Sequence, residues 1–168
     1  MQAGGVEDVL VIGRPNDTEL IEAVEQPSVA ARFIANPDHD RGQVTSIVAG
    51  VNAVDRPGVR GVLVMPVDMP LVRPSTFREV LEAFAAHPSF IVRAVCGGRH
   101  GHPVIFDRGS FEALRHADVT VGAKAVLLAQ ADRVLDLDVN DAGVLKDIDS
   151  REDYAAVFGR TLDSGMPS

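Results

Sequence analysis

Asp68 is the first side chain placed to do chemistry. It ends the run GVLVMPVDMPL, Gly61–Leu71, in which β-branched Val62, Val64 and Val67 precede a lone acid and Met69-Pro70. Continuous apolar character predicts a strand, Gly61–Val67, covered on both faces within a parallel sheet. Pro70 keeps Met69 extended and stops the strand from running on. The Asp68 carboxylate is then offered at the carboxyl end of a buried strand, where open α/β sheets bind ligands. Its alternative reading is an aspartate that closes a turn with its own side chain. A second acidic segment, Asp147-Ile148-Asp149-Ser150, lies just ahead of the last helix. In an extended segment Asp147 and Asp149 point the same way, and Asp149 can also act simply through the dipole of that helix.

Two glycine-bearing segments add polar groups. In Gly97-Gly98-Arg99-His100-Gly101-His102-Pro103, Arg99 can clamp a phosphate in bidentate fashion and His102 can change charge near neutral pH. The alternative is a tight turn with exposed histidines ahead of a strand. His100 and His102 suggest no zinc site, because no third ligand is indicated nearby. In GQVTSIVAG, Gly42–Gly50, Gly42 permits close backbone approach, and Thr45 or Ser46 can bond a ligand or cap the helix that starts there. Asp136, Asp138 and Asp141 read as a solvated surface.

The elements that must position these groups alternate. Asp8–Ile12 is a short apolar strand, Asp17 caps a helix running to about Glu25, and Arg32–Ala35 is a second strand. Val44, Ile47, Val48 and Val51 recur at helical spacing and predict a helix over Gln43–Val54. Pro74 fits a first helical position, with Phe77, Val80, Leu81 and Phe84 as the buried stripe. Strands are expected at Phe90–Val95, Pro103–Phe106 and Arg133–Asp138, and helices at Phe111–Ala117 and Ala123–Gln130. Ser150 and Asp153 form a capping-box pattern at the last helix. Such alternation predicts an α/β fold of three layers around a mostly parallel twisted sheet. Residues 1–159 form one domain, and residues 160–168 read as a flexible tail.

The chain has 168 residues, 46% hydrophobic and 24% charged, which is an ordinary globular composition. A formal net charge of −8 argues against binding to nucleic acid or an anionic membrane. It leaves room for a nucleotide, because a metal ion, arginines and backbone N–H groups can dominate locally. The single cysteine, Cys96, excludes an internal disulfide. No signal peptide and no bilayer-spanning run are evident, so the expected location is the cytoplasm.

Four segments in order carry a resemblance: NPDHDRGQVTSIVAGV (Asn36–Val51), Gly61–Leu71 with its VDMP, GHPVIF (Gly101–Phe106) and GVLKDIDSREDY (Gly143–Tyr154). Together they resemble the MobA-like NTP transferases, which attach a nucleotide to molybdopterin, over about residues 3–158. The resemblance implies a Rossmann-like nucleotidyltransferase fold and Mg²⁺-dependent attack of an acceptor phosphate on the α-phosphorus of an NTP. Asp68 and Asp149 match the family's metal-binding, catalytic acids. Gly42, Thr45 and Ser46 match the stretch that wraps base and ribose. Met69 and Pro70 accompany Asp68, and Arg99 and His102 fall beside the acceptor. Gln43 and Ser46-Ile47, in place of a Pro-Leu-Ala-Gly run, favour CTP over GTP. The expected acceptor resembles molybdopterin, with a molybdoenzyme or its chaperone as partner.

The family also opens with a central strand and a triphosphate loop of the type LAAGxSxRMGxxK, whose amides and cations hold the phosphates. No such motif occurs in these 168 residues, and Met1–Asp8 aligns with the end of the first helix that follows the loop. The expectation is therefore an N-terminally incomplete domain. A strand from elsewhere fills the gap, or the sheet closes up. The alternative function is a non-catalytic relative that binds nucleotide or supports molybdoenzyme maturation.

Overall fold

Gly97 and Gly98 decide the strand directions of the larger sheet. Both take positive φ, 57° and 75°, a pairing that two-residue hairpins require and that glycine adopts without strain. They fold β5 (Arg99–Asp107) back antiparallel on β4 (Ile91–Cys96), with Cys96 opposite Arg99. The expected loop at Arg99–His102 is thus already strand. The computed structural model describes Val6 and residues 8–159; the expected tail at 160–168 lies outside the described residues.

The remaining elements are β1 (Leu10–Gly13), α1 (Thr18–Val24), β2 (Arg32–Ala35), α2 (Gln43–Val54), β3 (Gly61–Val64), α3 (Pro74–Ala86), α4 (Phe111–Arg115), α5 (Lys124–Ala129), β6 (Val134–Asp138) and α6 (Arg151–Phe158). The capping expectations hold. The Asp17 side chain accepts from Leu20 N at 3.1 Å, Pro74 opens α3, and Ser150 with Asp153 completes a capping box.

The strands form two sheets: a parallel β1–β2 pair, and a four-stranded sheet in the order β3-β5-β4-β6. In the larger sheet β5 is antiparallel to β3 and β4, whereas β6 is parallel to β4. The sheets are therefore mixed rather than mostly parallel, because the Gly97-Gly98 hairpin reverses one central strand. One face of the larger sheet packs Val92, Ala94 and Ile105 against Phe77, Val80 and Phe84 of α3. The other packs Ile91, Val104 and Phe106 against Val51 of α2, Phe111 and Leu114 of α4, and Val126 of α5. Each fully buried side chain of this size stabilises the fold by about 1.5–3 kcal/mol.

β1 does not pair with β3, so the sheet has not closed up. Among the described residues β3 is paired along only one edge, and its four residues are half-buried rather than covered on both faces. α2 spans the two sheets: Gly50 packs on Ile12 of β1, while Ile47 and Val51 join the cluster containing Val62 and Val64 of β3. Asp8, ahead of β1, pairs with Arg32 at 2.9 Å and approaches Arg56, ahead of β3, at 3.9 Å.

Candidate active site

The chain leaves β3 at Val64, earlier than the apolar run predicts, and Val67-Asp68 forms a turn. Pro66 and Pro70 bracket that turn and deny it backbone donors. Asp68 is exposed, and its carboxylate accepts no hydrogen bond among the described residues; only its backbone oxygen is engaged, by Ile148 N at 2.8 Å. The Asp68 side chain accepts no bond across this turn among the described residues, which leaves the carboxylate free.

A cavity of about 270 Å³ opens beside it, lined by Gln43, Pro66, Asp68, Met69, Arg99, His100, Gly101, His102, Val144, Leu145 and Asp147. Met69 is 8% exposed and anchors the turn in the core. Arg99 and His102 reach the cavity from the first residues of β5, and Arg99 is exposed with no acidic partner among the described residues. Burial pushes the His102 imidazole below its ordinary value, and the nearby Asp68 carboxylate only partly offsets this. His102 is therefore neutral at pH 7 and can donate or accept one hydrogen bond. His100 pairs instead with Asp136 at 3.3 Å.

Of the acidic pair before α6, Asp147 lines the cavity with Asp68; Asp149 is exposed and is not among the lining residues. The Ile148 N–H held by Asp68 lies between them. Two free carboxylates at one cavity suit a hard, oxygen-seeking cation that keeps most of its waters, such as Mg²⁺ or Mn²⁺. No group of three or more His, Cys, Asp or Glu suited to a metal ion occurs among the described residues.

Gly42, Thr45 and Ser46 stand one step back from this cavity, and Gln43, the first residue of α2, lines it. Gly42 has φ 123°, and an added Cβ would lie 2.7 Å from the Val119 carbonyl oxygen, so its close approach is to that loop. Asn36, 2% exposed at the end of β2, donates to Thr45 Oγ1 at 2.8 Å and Ser46 Oγ at 3.0 Å. Neither hydroxyl caps α2, and Gly42 at the N-cap gives no side-chain bond. The Ser46 hydroxyl, accepting from Asn36, keeps its own proton to donate. Pro70 is exposed and outside the lining. A second cavity of about 420 Å³, lined by Arg14, Pro15, Asn16, Asp17 and His39, lies past the carboxyl end of β1.

Sequence reasoning missed two contributors. Asn36 falls within the segment singled out, at a strand end, a position where polar groups face ligands. Asp141, expected on a solvated surface, is 5% exposed. Its partners at Arg73 and Thr76 lie more than sixty residues away in sequence, and no local pattern announces them.

The sequence profile of the MobA-like NTP transferase domain matches residues 1–134. No curated protein matches the chain significantly. Among solved structures, Rv0371c from Mycobacterium tuberculosis H37Rv superposes with a TM-score of 0.74 at 19% identity, covering 95% of this chain and 80% of that one. Its manganese complex gives 0.66 at 21% identity, over 95% and 82%. A nucleotidyl transferase from Methanothermobacter thermautotroptrophicus gives 0.74 at 21% identity, over 93% and 74%. Molybdopterin-guanine dinucleotide biosynthesis protein A from Archaeoglobus fulgidus gives 0.62 at 15% identity, over 88% and 75%. At these identities the likeness establishes the fold.

Proposed function

Since this chain belongs to the MobA-like NTP transferase domain family, we propose that its cavity transfers CMP or GMP from an NTP to a phosphorylated acceptor of the molybdopterin kind. The observation that carries this reading is the pair of acids, Asp68 and Asp147, without side-chain partners among the described residues, which line one cavity with Arg99 and a neutral His102. In the reaction an acceptor phosphate oxygen forms a bond to the α-phosphorus. The bond to the bridging oxygen breaks, and pyrophosphate leaves with the electron pair.

Asp68, with a carboxylate from Asp147 or Asp149, would hold a divalent cation, Mg²⁺ in the cell. The bound ion supplies charge neutralisation at the phosphates. The manganese complex of Rv0371c supports a cation of this class. Arg99 offers a planar donor pair to a phosphate, which suits binding of the acceptor. His102 donates one directional bond without adding charge. Gln43 and the Ser46 hydroxyl, at the start of α2, suit recognition of base and ribose. Gln43 and Ser46-Ile47 also favour cytosine over guanine.

Pyrophosphate release measured with molybdopterin and either CTP or GTP tests the assignment. CTP is expected to react faster; equal or reversed rates remove the cytidylyl preference. Asp68→Asn is expected to lower Mn²⁺ affinity at least tenfold. Comparing Asp147→Asn with Asp149→Asn then identifies the second ligand as the one whose loss does the same. Wild-type Mn²⁺ affinity in the Asp68→Asn variant would overturn the metal site.

The second reading is a relative that binds nucleotide without turning it over and serves molybdoenzyme maturation. Nucleotide binding without pyrophosphate release distinguishes it.

A further inference from the structure

Asp141 lies outside the cavity lining, yet it bonds the chain shortly after Asp68 and shortly before Asp147. Its carboxylate accepts from Arg73 N at 2.9 Å, Thr76 Oγ1 at 2.6 Å and Gly143 N at 3.0 Å, with the Arg73 Nε 3.4 Å away. Arg73 is the N-cap of α3 and makes no side-chain capping bond of its own. Asp141 therefore caps α3 from a distant part of the chain and at the same time caps its own 3-10 turn, Ala142–Leu145. A carboxylate suits both places, because helix N-termini leave backbone donors unmet and carry partial positive charge. Burial alone would raise its pKa, but the bonds from Thr76, Arg73 and Gly143 and the Arg73 charge outweigh that and hold it ionised.

The consequences run outward in both directions. Arg73 ends the connection that begins with the Asp68 turn, and Gly143 begins the segment that leads to Asp147. The two segments are locked together without side chains between them: a Cβ on Gly143 would lie 2.4 Å from the Leu71 carbonyl oxygen. A Cβ on Gly101, at the head of β5 beside Arg99 and His102, would lie 2.1 Å from the Val144 carbonyl oxygen. The far end is pinned by the Ile148 N–H on the Asp68 oxygen.

We propose that Asp141 is a positioning residue that sets the spacing between Asp68 and the Asp147–Asp149 segment, and so the cation affinity of the site. The metal half of this statement rests on the function proposed above; the spacing half does not. A group hydrogen-bonded directly to a metal ligand commonly contributes roughly 10- to 100-fold in metal affinity; Asp141 acts one step further out, through the segments that carry the acids, and is expected to reach the lower end of that range.

The test compares Asp141→Asn with Asp107→Asn. Asp107 is also buried and satisfied, by Ser110, Gly109 and Arg133, but it serves a different part of the fold. Amide hydrogen exchange and Mn²⁺ affinity, read from the electron paramagnetic resonance of free Mn²⁺, are measured on the full chain. Asp141→Asn should abolish protection of the Ile148 amide and weaken Mn²⁺ binding at least tenfold, whereas Asp107→Asn should change neither. Thr76→Val, which removes one bond at nearly constant volume, keeps the test open if Asp141→Asn does not fold; it should give a smaller loss in both readouts. Unchanged Ile148 protection in the variants, or an equal Mn²⁺ loss in Asp107→Asn, would overturn the proposal. If the wild-type chain takes up no Mn²⁺, the metal reading fails by itself, and Ile148 exchange still decides whether Asp141 sets the spacing.

Discussion

His102 shows how one cavity residue is tuned by its surroundings. Burial lowers its pKa from the ordinary 6.5 against the opposing pull of Asp68. A histidine buried in its neutral form contributes stability in full above its unfolded pKa. That contribution declines as the pH falls from about 6.5 toward the lower folded value, because the unfolded chain takes the proton first. His102→Asn should therefore lose less stability than wild type on going from about pH 7.5 to pH 5.5. Urea midpoints at the two pH values measure the difference, and parallel curves would show that His102 carries no such linkage. The same burial keeps His102 from competing with Arg99 as a cation, so this wall of the cavity has one positive charge and one neutral donor.

At the scale of elements, glycines let backbones meet where side chains cannot. Gly101 in β5 faces the Val144 carbonyl oxygen, 2.1 Å from where a Cβ would sit, so Gly101→Ala must push apart β5 and the 3-10 turn. A cost of about 1–3 kcal/mol is expected, as for other overpacked sites. Gly50, inside α2, is the contrasting case: its added Cβ would meet Ile12 Cδ1 at an ordinary 3.5 Å. There alanine should stabilise by up to about 1 kcal/mol through helix propensity. Thermal melts of the two variants should move in opposite directions; a stabilised Gly101→Ala would refute the interlock. The same turn-to-strand contact explains why the GHP segment and the GVLKDID segment, over forty residues apart, converge on one cavity.

For the molecule as a whole, the two sheets leave β1 and β3 unjoined while α2 packs across both. An unpaired strand edge of this kind invites a further strand, since backbone N–H and C=O groups left without partners are costly. Under the function proposed above, the acids at the cavity would add negative charge beside a triphosphate, in a chain whose net charge is already −8. A glycine-rich loop with cationic side chains would add charge-assisted bonds worth about 1.5–3 kcal/mol each, and about 1.4 kcal/mol is tenfold in rate. These 168 residues by themselves should therefore turn over orders of magnitude more slowly than the same chain joined to an upstream strand and phosphate loop. Pyrophosphate release by both forms measures this. Equal rates would show that the loop is dispensable, and Asp68→Ala should block the rescue.

The sequence by itself determined what depends on near neighbours. Helix α2 runs from Gln43 to Val54 because its apolar positions repeat with the helical period, and α3 opens at Pro74 because a missing N–H is harmless there. The capping box at Ser150 and the free acid at Asp68 were legible for the same reason, as was the family, whose match spans the first three of the four motifs. Local patterns could not say that Gly97-Gly98 would reverse a central strand, that Asp147 would line the cavity while Asp149 would not, or that β3 would be only half-covered. Asp141 marks the limit most clearly. Its sequence neighbours are acidic and polar, so locally it reads as surface, but tertiary packing brings Arg73 and Thr76 to it across more than sixty residues. Burial and hydrogen bonding are settled by which segments meet, and only the tertiary structure decides that.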